Sequence, residues 1–279
     1  MLKTLLRIFA RLPLPVVHAL GILFGYLYFL TVRRRLHRMR RNLQWVRDFL
    51  PQKDHRHLLH ANIREIGKGM LETFAIWFRP DASVQRLVRD CQGWEHVEAA
   101  RAKGRGVIFL TPHLGCYEIT AIYHAAHYPI SVLYKPPRNP RLARLVEDGR
   151  QREGITLAPT NMSGIRTLLK TLKKGGAVGI LPDQVPEENE GAWADFFRKR
   201  AYTMTLVGKL VEATGATVLL AYGERLPWGR GYVIHIEPLD PEGRLAGPPT
   251  PQDINDSIER LICQCPEQYL WSYDRYKRP

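Results

Sequence analysis

From residue 104 onward, short apolar runs alternate with helical patterns. The runs are GVIFL (106–110), ISVLY (130–134), AVGIL (177–181), TVLLAY (217–222) and YVIHIEPL (232–239). The helical patterns lie at about 118–127, 140–153, 163–174 and 203–214, and a closing helix is expected at 250–263. Strands that alternate with helices predict an α/β fold with a central, mostly parallel sheet flanked by helices.

The first eighty residues follow a different pattern. Residues 61–79 place apolar side chains at three- and four-residue spacing, which predicts an amphipathic helix that Pro80 ends. Residues 16–32 form a run of seventeen without a charge. This is at the short limit for a membrane-spanning helix, which needs about 20 apolar residues. Six arginines follow immediately, within residues 33–41.

A membrane anchor explains both features, because acyl chains favour the apolar run and anionic head groups favour the arginines. A signal peptide would need a small-residue cleavage site, and none precedes the arginines. A core helix with a solvated basic tail is the remaining alternative. We therefore predict an N-terminal hydrophobic membrane-anchoring helix that spans the bilayer or lies in its interface. The predicted boundaries are 1–41 for the anchor and basic juxtamembrane segment, and 42–279 for the following domain.

Charge is concentrated at the N-terminus. Residues 1–60 hold twelve Lys and Arg residues against two acids, which accounts for +10 of the net charge of +14. Such a block needs an anionic partner, either nucleic acid or a membrane surface. Nucleic-acid binding would interleave basic residues with aromatic ones, whereas here the basic run adjoins an apolar segment. We expect an anionic membrane surface and no nucleic acid. Four cysteines without a CxxC pair favour a reducing compartment.

The stretch TPHLGCYE (111–118) follows the predicted strand 106–110 and carries candidate chemistry. In open α/β sheets, ligands bind at the carboxyl ends of strands. His113 and Glu118 are five residues apart, which is roughly 140° around one helix, so they share no helical face. They can meet only if His113 lies in a turn, with Gly115 at the bend. The pair would then supply a general base and the carboxylate that orients it. The alternative is a strand-end histidine bonded to backbone.

Several further stretches complete a resemblance that runs through nearly the whole chain. TPHLGCYE resembles the HLGxWE-type signature of the bacterial lipid A late acyltransferases, the lauroyl- and myristoyl-transferase family. That family belongs to the wider glycerolipid acyltransferase group with its His-x4-Asp/Glu motif. Residues 134–154, 179–186, 196–205 and 266–279 are similar to further blocks of the family, in the same order. Two positions depart from it: Lys135 stands where arginine is common, and Arg198 where glycine is usual.

The resemblance implies an acyltransferase domain that moves a fatty acyl chain from acyl carrier protein to a hydroxyl of a lipid A precursor. A lysophospholipid, an ornithine lipid or another glycolipid is an alternative acceptor with the same mechanism. The family also implies the bacterial inner membrane, with the catalytic domain on the cytoplasmic side. No cofactor is expected. No metal is expected either, because HExxH and paired CxxC patterns are missing from the sequence.

The resemblance also assigns expected roles to residues. His113 and Glu118 become the catalytic pair. Arg150 becomes a contact for the oxyanion or for a phosphate, unless it is a solvated helix arginine. Asp183 and Gln184 follow another predicted strand and are expected in the same cleft, with a strand-end cap as the alternative. Weaker candidates are Tyr134, Asn139 and, as a covalent acyl carrier, Cys116.

Overall fold

A computed structural model describes residues 2–50 and 55–279. The strands are β1 Val88–Gln92, β2 Val107–Leu110, β3 Ile130–Tyr134, β4 Ile155–Pro159, β5 Ala177–Ile180, β6 Gly191–Phe196, β7 Lys199–Met204, β8 Thr217–Arg225 and β9 Tyr232–Pro238. Seven of them form the central sheet, in the order β1-β9-β8-β2-β5-β3-β4. Neighbouring strands from β8 to β4 are parallel, whereas β9 pairs antiparallel with β8 and parallel with β1. The other two strands, β6 and β7, form a separate hairpin.

Helices cover both faces of the sheet. The helices are α1 Leu2–Phe9, α2 Leu14–Thr31, α3 Arg33–Trp45, α4 His55–Phe78, α5 Asp81–Gln85, α6 Trp94–Ala102, α7 Tyr117–Ala125, α8 Pro140–Arg150, α9 Met162–Lys173, α10 Leu206–Thr214 and α11 Pro251–Gln264. Along β2, Ile108 packs into the core that contains α9, α10 and α11, whereas Phe109 packs into the core that contains α6 and α7. The central strand is therefore buried on both faces, which explains its uninterrupted apolar run.

The predicted α/β class is confirmed, and each of the five predicted strands is present. Strands β1 and β4 were missed, because they lie at the two sheet edges and their sequences, VRDCQ and ITLAP, have no uninterrupted apolar run. The β6–β7 hairpin was also missed. Its two turn residues, Phe197 and Arg198, have φ values of 49° and 56°, a region that favours glycine. The resemblance leads us to expect glycine at position 198, and glycine suits this turn; the chain forms the turn with arginine instead.

Glycines bring α2 and α4 into close contact. A Cβ on Gly67 would lie 2.2 Å from the carbonyl oxygen of Gly21 and 2.7 Å from the Cα of Gly25. Near the start of α2, the guanidinium of Arg79 donates to the carbonyl oxygens of Ala10 and Leu12. The apolar N-terminal helix is therefore packed against the body of the protein along its length.

A buried ion pair joins α2 and α4 to the sheet. The carboxylate of Glu72 accepts from the Arg225 guanidinium (2.6 Å) and from the Tyr232 hydroxyl (2.9 Å), and lies 3.0 Å from the His18 ring. Burial alone would raise the pKa of Glu72, but the charges and hydrogen bonds of Arg225 and His18 hold it well below its usual range. The same Arg225 donates to the carbonyl oxygen of Gly115 at 2.8 Å. This network therefore supports the turn that follows β2.

The substitution Gly67→Ala is expected to lower the free energy of unfolding by about 1–3 kcal/mol, because the added methyl group overpacks the α2–α4 contact. An alanine in an unconstrained helix position would instead stabilise the protein. Thermal unfolding measures the change. Gly247→Ala is the control, since a Cβ at Gly247 meets nothing within 4 Å. An unchanged or raised Tm for Gly67→Ala would contradict the packing.

The substitution Glu72→Gln removes the nearer carboxylate from the buried Arg225 charge and leaves only Glu65, 3.6 Å away, so we expect a loss of about 3–5 kcal/mol in the free energy of unfolding. Urea unfolding followed by circular dichroism measures this loss. The control is Glu187→Gln, which breaks the exposed pair between Glu187 and Lys135 and should leave the unfolding midpoint unchanged. Equal midpoints for both variants would show that the buried pair contributes no more than the exposed one.

Candidate active site

The site lies where β2 and β5 end side by side. These strands pair in parallel with Leu110 opposite Ile180, and the amide of Thr111 continues the ladder to the Ile180 carbonyl at 2.9 Å. His113 lies three residues beyond Leu110, and Asp183 lies three residues beyond Ile180. The register of the two strands therefore brings this histidine and this carboxylate together.

The Asp183 carboxylate binds His113 twice. Its Oδ1 lies 2.8 Å from the ring Nδ1, and its Oδ2 accepts from the backbone amide of His113 at 2.9 Å. Because an ionised carboxylate only accepts hydrogen bonds, Nδ1 carries the ring proton and Nε2 presents its lone pair. The side-chain amide of Gln184 donates to that Nε2 at 3.0 Å. The contacts with Asp183 and Gln184 therefore fix the ring tautomer, with the lone pair at Nε2.

Asp183 stays ionised despite its burial. Its side chain is 3% exposed. Burial by itself would raise the pKa of Asp183, but the neighbouring His113 ring and the hydrogen bonds from it lower that pKa below its usual value. The phenol of Tyr269 adjoins the same carboxylate, and burial followed by this negative charge raises the Tyr269 pKa well above its usual value. Tyr269 therefore remains a neutral neighbour.

Glu118 contacts Arg150 rather than His113. Its carboxylate accepts hydrogen bonds from the Arg150 guanidinium at 2.5 and 3.1 Å. Glu118 was expected to bind the His113 ring, but Asp183 makes that contact instead. The reason is position: Glu118 lies in the first turn of α7 and faces the last residue of α8. Burial would lower the pKa of Arg150, but the Glu118 charge raises it, so the guanidinium is firmly charged. The neighbouring Gly149 leaves room for the Trp77 ring, which a Cβ would meet at 2.5 Å.

The three weaker candidates, Asn139, Tyr134 and Cys116, make contacts that account for them without a catalytic role. Asn139 caps α8, because its side chain accepts from the amide of Arg141 at 2.9 Å. The Tyr134 hydroxyl donates to Glu147 at 3.0 Å. Cys116 is 3% exposed, and burial raises the pKa of its thiol well above the ordinary value, which opposes a nucleophilic thiolate.

The C-terminal segment braces the turn that carries His113. The amide of Gly115 donates to the Gln268 carbonyl at 3.1 Å, and the amide of Leu270 donates to the His113 carbonyl at 3.1 Å. Gly115 has a φ of 62°, and a Cβ there would lie 2.1 Å from the Gly223 carbonyl oxygen, so the turn requires glycine. Gln268 and Leu270 were not predicted to support the site. Both lie in residues 266–279, one of the stretches that resemble the family, and this resemblance was the only indication of their importance in the sequence.

Two cavities meet at Tyr117 and Glu118, which line both. The first has a volume of about 150 Å³ and is also lined by His113, by the basic side chains of Arg35 and Arg225, and by the acidic side chains of Glu65 and Glu72. The second is more enclosed and mainly apolar, with a volume of about 50 Å³. Its apolar lining includes Trp77, Trp94, Phe109, Ile130, Val132, Leu157 and Ile236. A cavity that holds the His113 ring together with acidic and basic side chains therefore adjoins a more enclosed, mainly apolar one.

His124 also lines the apolar cavity. It is 3% exposed, and burial lowers its pKa to about 4, so its ring is neutral at physiological pH. Over residues 2–50 and 55–279, no three or more His, Cys, Asp or Glu side chains are grouped so that they could hold a metal ion.

Comparison with known proteins identifies the family. The family described as bacterial lipid A biosynthesis acyltransferase matches residues 2–278. The lipid A biosynthesis lauroyltransferase of Escherichia coli (strain K12) is 28% identical over 269 residues, which cover 96% of this chain and 87% of that protein. The palmitoleoyltransferase of the same strain is 28% identical over 278 residues, covering 98% and 88%. A lipid A biosynthesis acyltransferase of Haemophilus influenzae (strain ATCC 51907 / DSM 11121 / KW20 / Rd) is 25% identical over 267 residues, covering 94% and 80%. The chain therefore belongs to the bacterial lipid A biosynthesis acyltransferase family and is an acyltransferase.

Proposed function

We propose that this acyltransferase moves a fatty acyl chain from the thioester of acyl carrier protein to a hydroxyl of a lipid A precursor, with His113 as general base. The observation that carries the proposal is the His113 ring itself. Its Nδ1 is bonded to a buried, ionised Asp183, and its Nε2 is left as the basic atom beside a cavity. The names of the relatives support the lipid A acceptor.

In the proposed reaction, the acceptor hydroxyl takes the place of the Gln184 amide at Nε2 of His113 and loses its proton to that atom. Its oxygen forms a bond to the thioester carbonyl carbon, and the carbon–sulfur bond then breaks. The imidazolium returns the proton to the leaving thiolate, so the base is regenerated. The Asp183 carboxylate keeps the ring in the required tautomer and stabilises the imidazolium.

The Glu118–Arg150 pair has a different proposed role. Glu118 lines the His113 cavity, and its carboxylate keeps the Arg150 guanidinium charged and fixed beside it. Positive charge near the reacting carbonyl stabilises the oxyanion, as do backbone N–H groups in the first turn of a helix such as α7. We therefore propose that Glu118 contributes through Arg150, and that Asp183 is the group that orients the base.

The cavities support the two substrates. The apolar lining of the enclosed cavity suits methylene groups, and its volume of about 50 Å³ has room for part of a fatty acyl chain. Tyr117 and Glu118 lie between this cavity and the one that holds His113. Arg35 at the His113 cavity suits a phosphate of the acceptor, and the net charge of +14 suits an acidic carrier protein.

Membrane association fits a lipid acceptor. Among the described residues, one helix, Leu14–Thr31, is long and apolar enough to cross a bilayer. We propose the inner membrane, with the catalytic domain on its cytoplasmic side, as the location of the protein. An acceptor other than a lipid A precursor, such as a lysophospholipid, an ornithine lipid or another glycolipid, would use the same base and is distinguished by the assay below.

Replacing His113 or the carboxylate that orients it should slow turnover strongly. We expect His113→Ala and Asp183→Asn to lower kcat by roughly 10²–10⁴-fold with KM nearly unchanged, since both remove proton transfer in the transition state. Glu118→Gln should cost less than Asp183→Asn, because it leaves the His113–Asp183 contact intact. Steady-state kinetics with purified protein measures these rates.

Cys116→Ala is the matched control in the same turn and should retain transfer. A loss with Cys116→Ala equal to that with His113→Ala would instead indicate an acyl-enzyme on the cysteine. A larger loss of kcat for Glu118→Gln than for Asp183→Asn would indicate that Glu118, and not Asp183, orients the base. Circular dichroism confirms that each variant is folded before its rate is compared.

An assay with panels of donors and acceptors tests the substrates. We expect transfer from acyl carrier protein to exceed transfer from acyl-coenzyme A, because the basic surface favours the acidic carrier. Among acceptors, a lipid A precursor should give the labelled product, detected by mass spectrometry. Transfer only to a lysophospholipid or an ornithine lipid would refute the lipid A acceptor while preserving the acyltransferase chemistry.

A further inference from the structure

The outer face of α2 is apolar and uncovered in the described structure. The helix buries one stripe, which includes His18, Gly21, Gly25 and Phe29. The opposite stripe is exposed and holds Val16, Leu20, Leu23, Phe24, Leu27 and Leu30, which are 41–67% exposed. No charged residue lies anywhere in the helix. A solvated helix would place polar residues on this stripe, so it needs an apolar environment.

The inner face of α2 packs against α4 along its length. Contacts with α4 run from the His18–Glu72 pair, through Gly21 and Gly25 against Gly67, to the Tyr26 hydroxyl 3.4 Å from His60. A helix that crosses the bilayer in this packing would carry α4 into the hydrocarbon layer. That helix bears charged side chains over the same stretch, namely Arg64, Glu65, Lys68 and Glu72. Charges inside the bilayer are costly, so this packing opposes a spanning α2.

Both ends of α2 carry features of the head-group layer. Exposed Lys3, Arg7 and Arg11 precede the helix, and exposed Arg33 and Arg34 follow it. A helix lying in the interface places both basic groups on the same anionic surface, whereas a spanning helix separates them across the bilayer.

An exposed tryptophan adjoins the start of α2. Trp228 is 87% exposed, and its neighbour Gly229 packs against Pro15, whose Cα a glycine Cβ would meet at 2.6 Å. Tryptophan is enriched where membrane and water meet. The chain also bends at the other end of the helix: Val32 has non-helical angles (φ −99°, ψ 62°), and α3 then buries Met39 in the core. The direction of α2 is therefore not continued into α3.

We propose that α2 lies within one leaflet of an anionic bilayer, with its outer stripe among the acyl chains, and that the chain does not cross the membrane. The proposal deepens the membrane association put forward above and does not depend on the acyl-transfer chemistry. It also has a consequence for the substrate. Arg35, which follows α2 closely, lines the His113 cavity, so a lipid acceptor can reach the base directly from the same leaflet.

A labelling experiment tests the topology. One cysteine at a time is introduced at an exposed position before or after α2, Thr4→Cys or Gln44→Cys, in a full-length chain with Cys91 and Cys263 replaced by serine. The native Cys116 and Cys265 are buried, and the chain without an introduced cysteine measures their background labelling. A membrane-impermeant maleimide is applied to sealed spheroplasts and to inside-out vesicles. We expect both cysteines to react from one and the same side of the membrane. Labelling of the two positions from opposite sides would show that α2 spans the bilayer and would overturn the proposal.

Vesicle binding provides a second measurement that involves no acyl transfer. The double substitution Leu23→Glu/Leu27→Glu should reduce co-sedimentation with phosphatidylglycerol-containing vesicles by roughly tenfold or more, because it places charge in the embedded stripe. Leu23→Met/Leu27→Met is the matched control and should bind like the unaltered protein. Both doubles lie on the exposed stripe, so circular dichroism should report an unchanged fold.

The remaining outcomes also decide the matter. Unaltered vesicle binding by the Glu double would overturn the proposal. A change from dimer to monomer in the same variant, measured by analytical ultracentrifugation without lipid, would show that a second copy covers the stripe and would equally overturn it. Because binding is measured without substrate, a failed acyl-transfer assay leaves these results interpretable.

Discussion

The parallel pairing of β2 with β5 is the constraint on which the site depends. With Leu110 opposite Ile180, the two chains leave the sheet in step, and His113 and Asp183 meet three residues later at 2.8 Å. A slip of one residue would displace one partner by about 3.3 Å and turn its side chain to the other face. Burial of β2 on both faces forbids such a slip, because every residue of the strand is packed. The packing that fixes the register of β2 in the core therefore also fixes the contact between His113 and Asp183.

The turn after β2 is fixed from the opposite side by groups far apart in the sequence. Arg225 donates to the Gly115 carbonyl, Gln268 accepts from the Gly115 amide, and Leu270 donates to the His113 carbonyl. Glu72 balances the Arg225 charge in the interior. The main chain and the ring of His113 are therefore both held by hydrogen bonds, which would limit the freedom that this residue loses in the proposed reaction.

The carboxylate of Glu72 also connects the site to the N-terminal helix. It lies 3.0 Å from the His18 ring on α2 and 2.6 Å from the guanidinium that supports the Gly115 turn. An anchor on a flexible linker would leave the site free to move relative to the lipid. Here the apolar helix is part of the folded body, so wherever the outer stripe of α2 lies, the position of the His113 cavity follows from it.

The α/β class and the central strands could be predicted from local patterns, because each central strand is an apolar run. The same patterns drew attention to the five candidate residues, which are polar and lie at or near the ends of such runs or of the helices that follow them. They did not reveal β1 and β4, edge strands without an uninterrupted apolar run, nor which carboxylate faces His113. That choice depended on strand order. Elements α7, β3, α8, β4 and α9 separate β2 from β5 along the chain, and only the folded sheet makes the two strands neighbours. Only the tertiary structure therefore decides that Asp183 binds the His113 ring and that Arg150 binds Glu118, because a hydrogen bond depends on distance in space and not on spacing in the sequence.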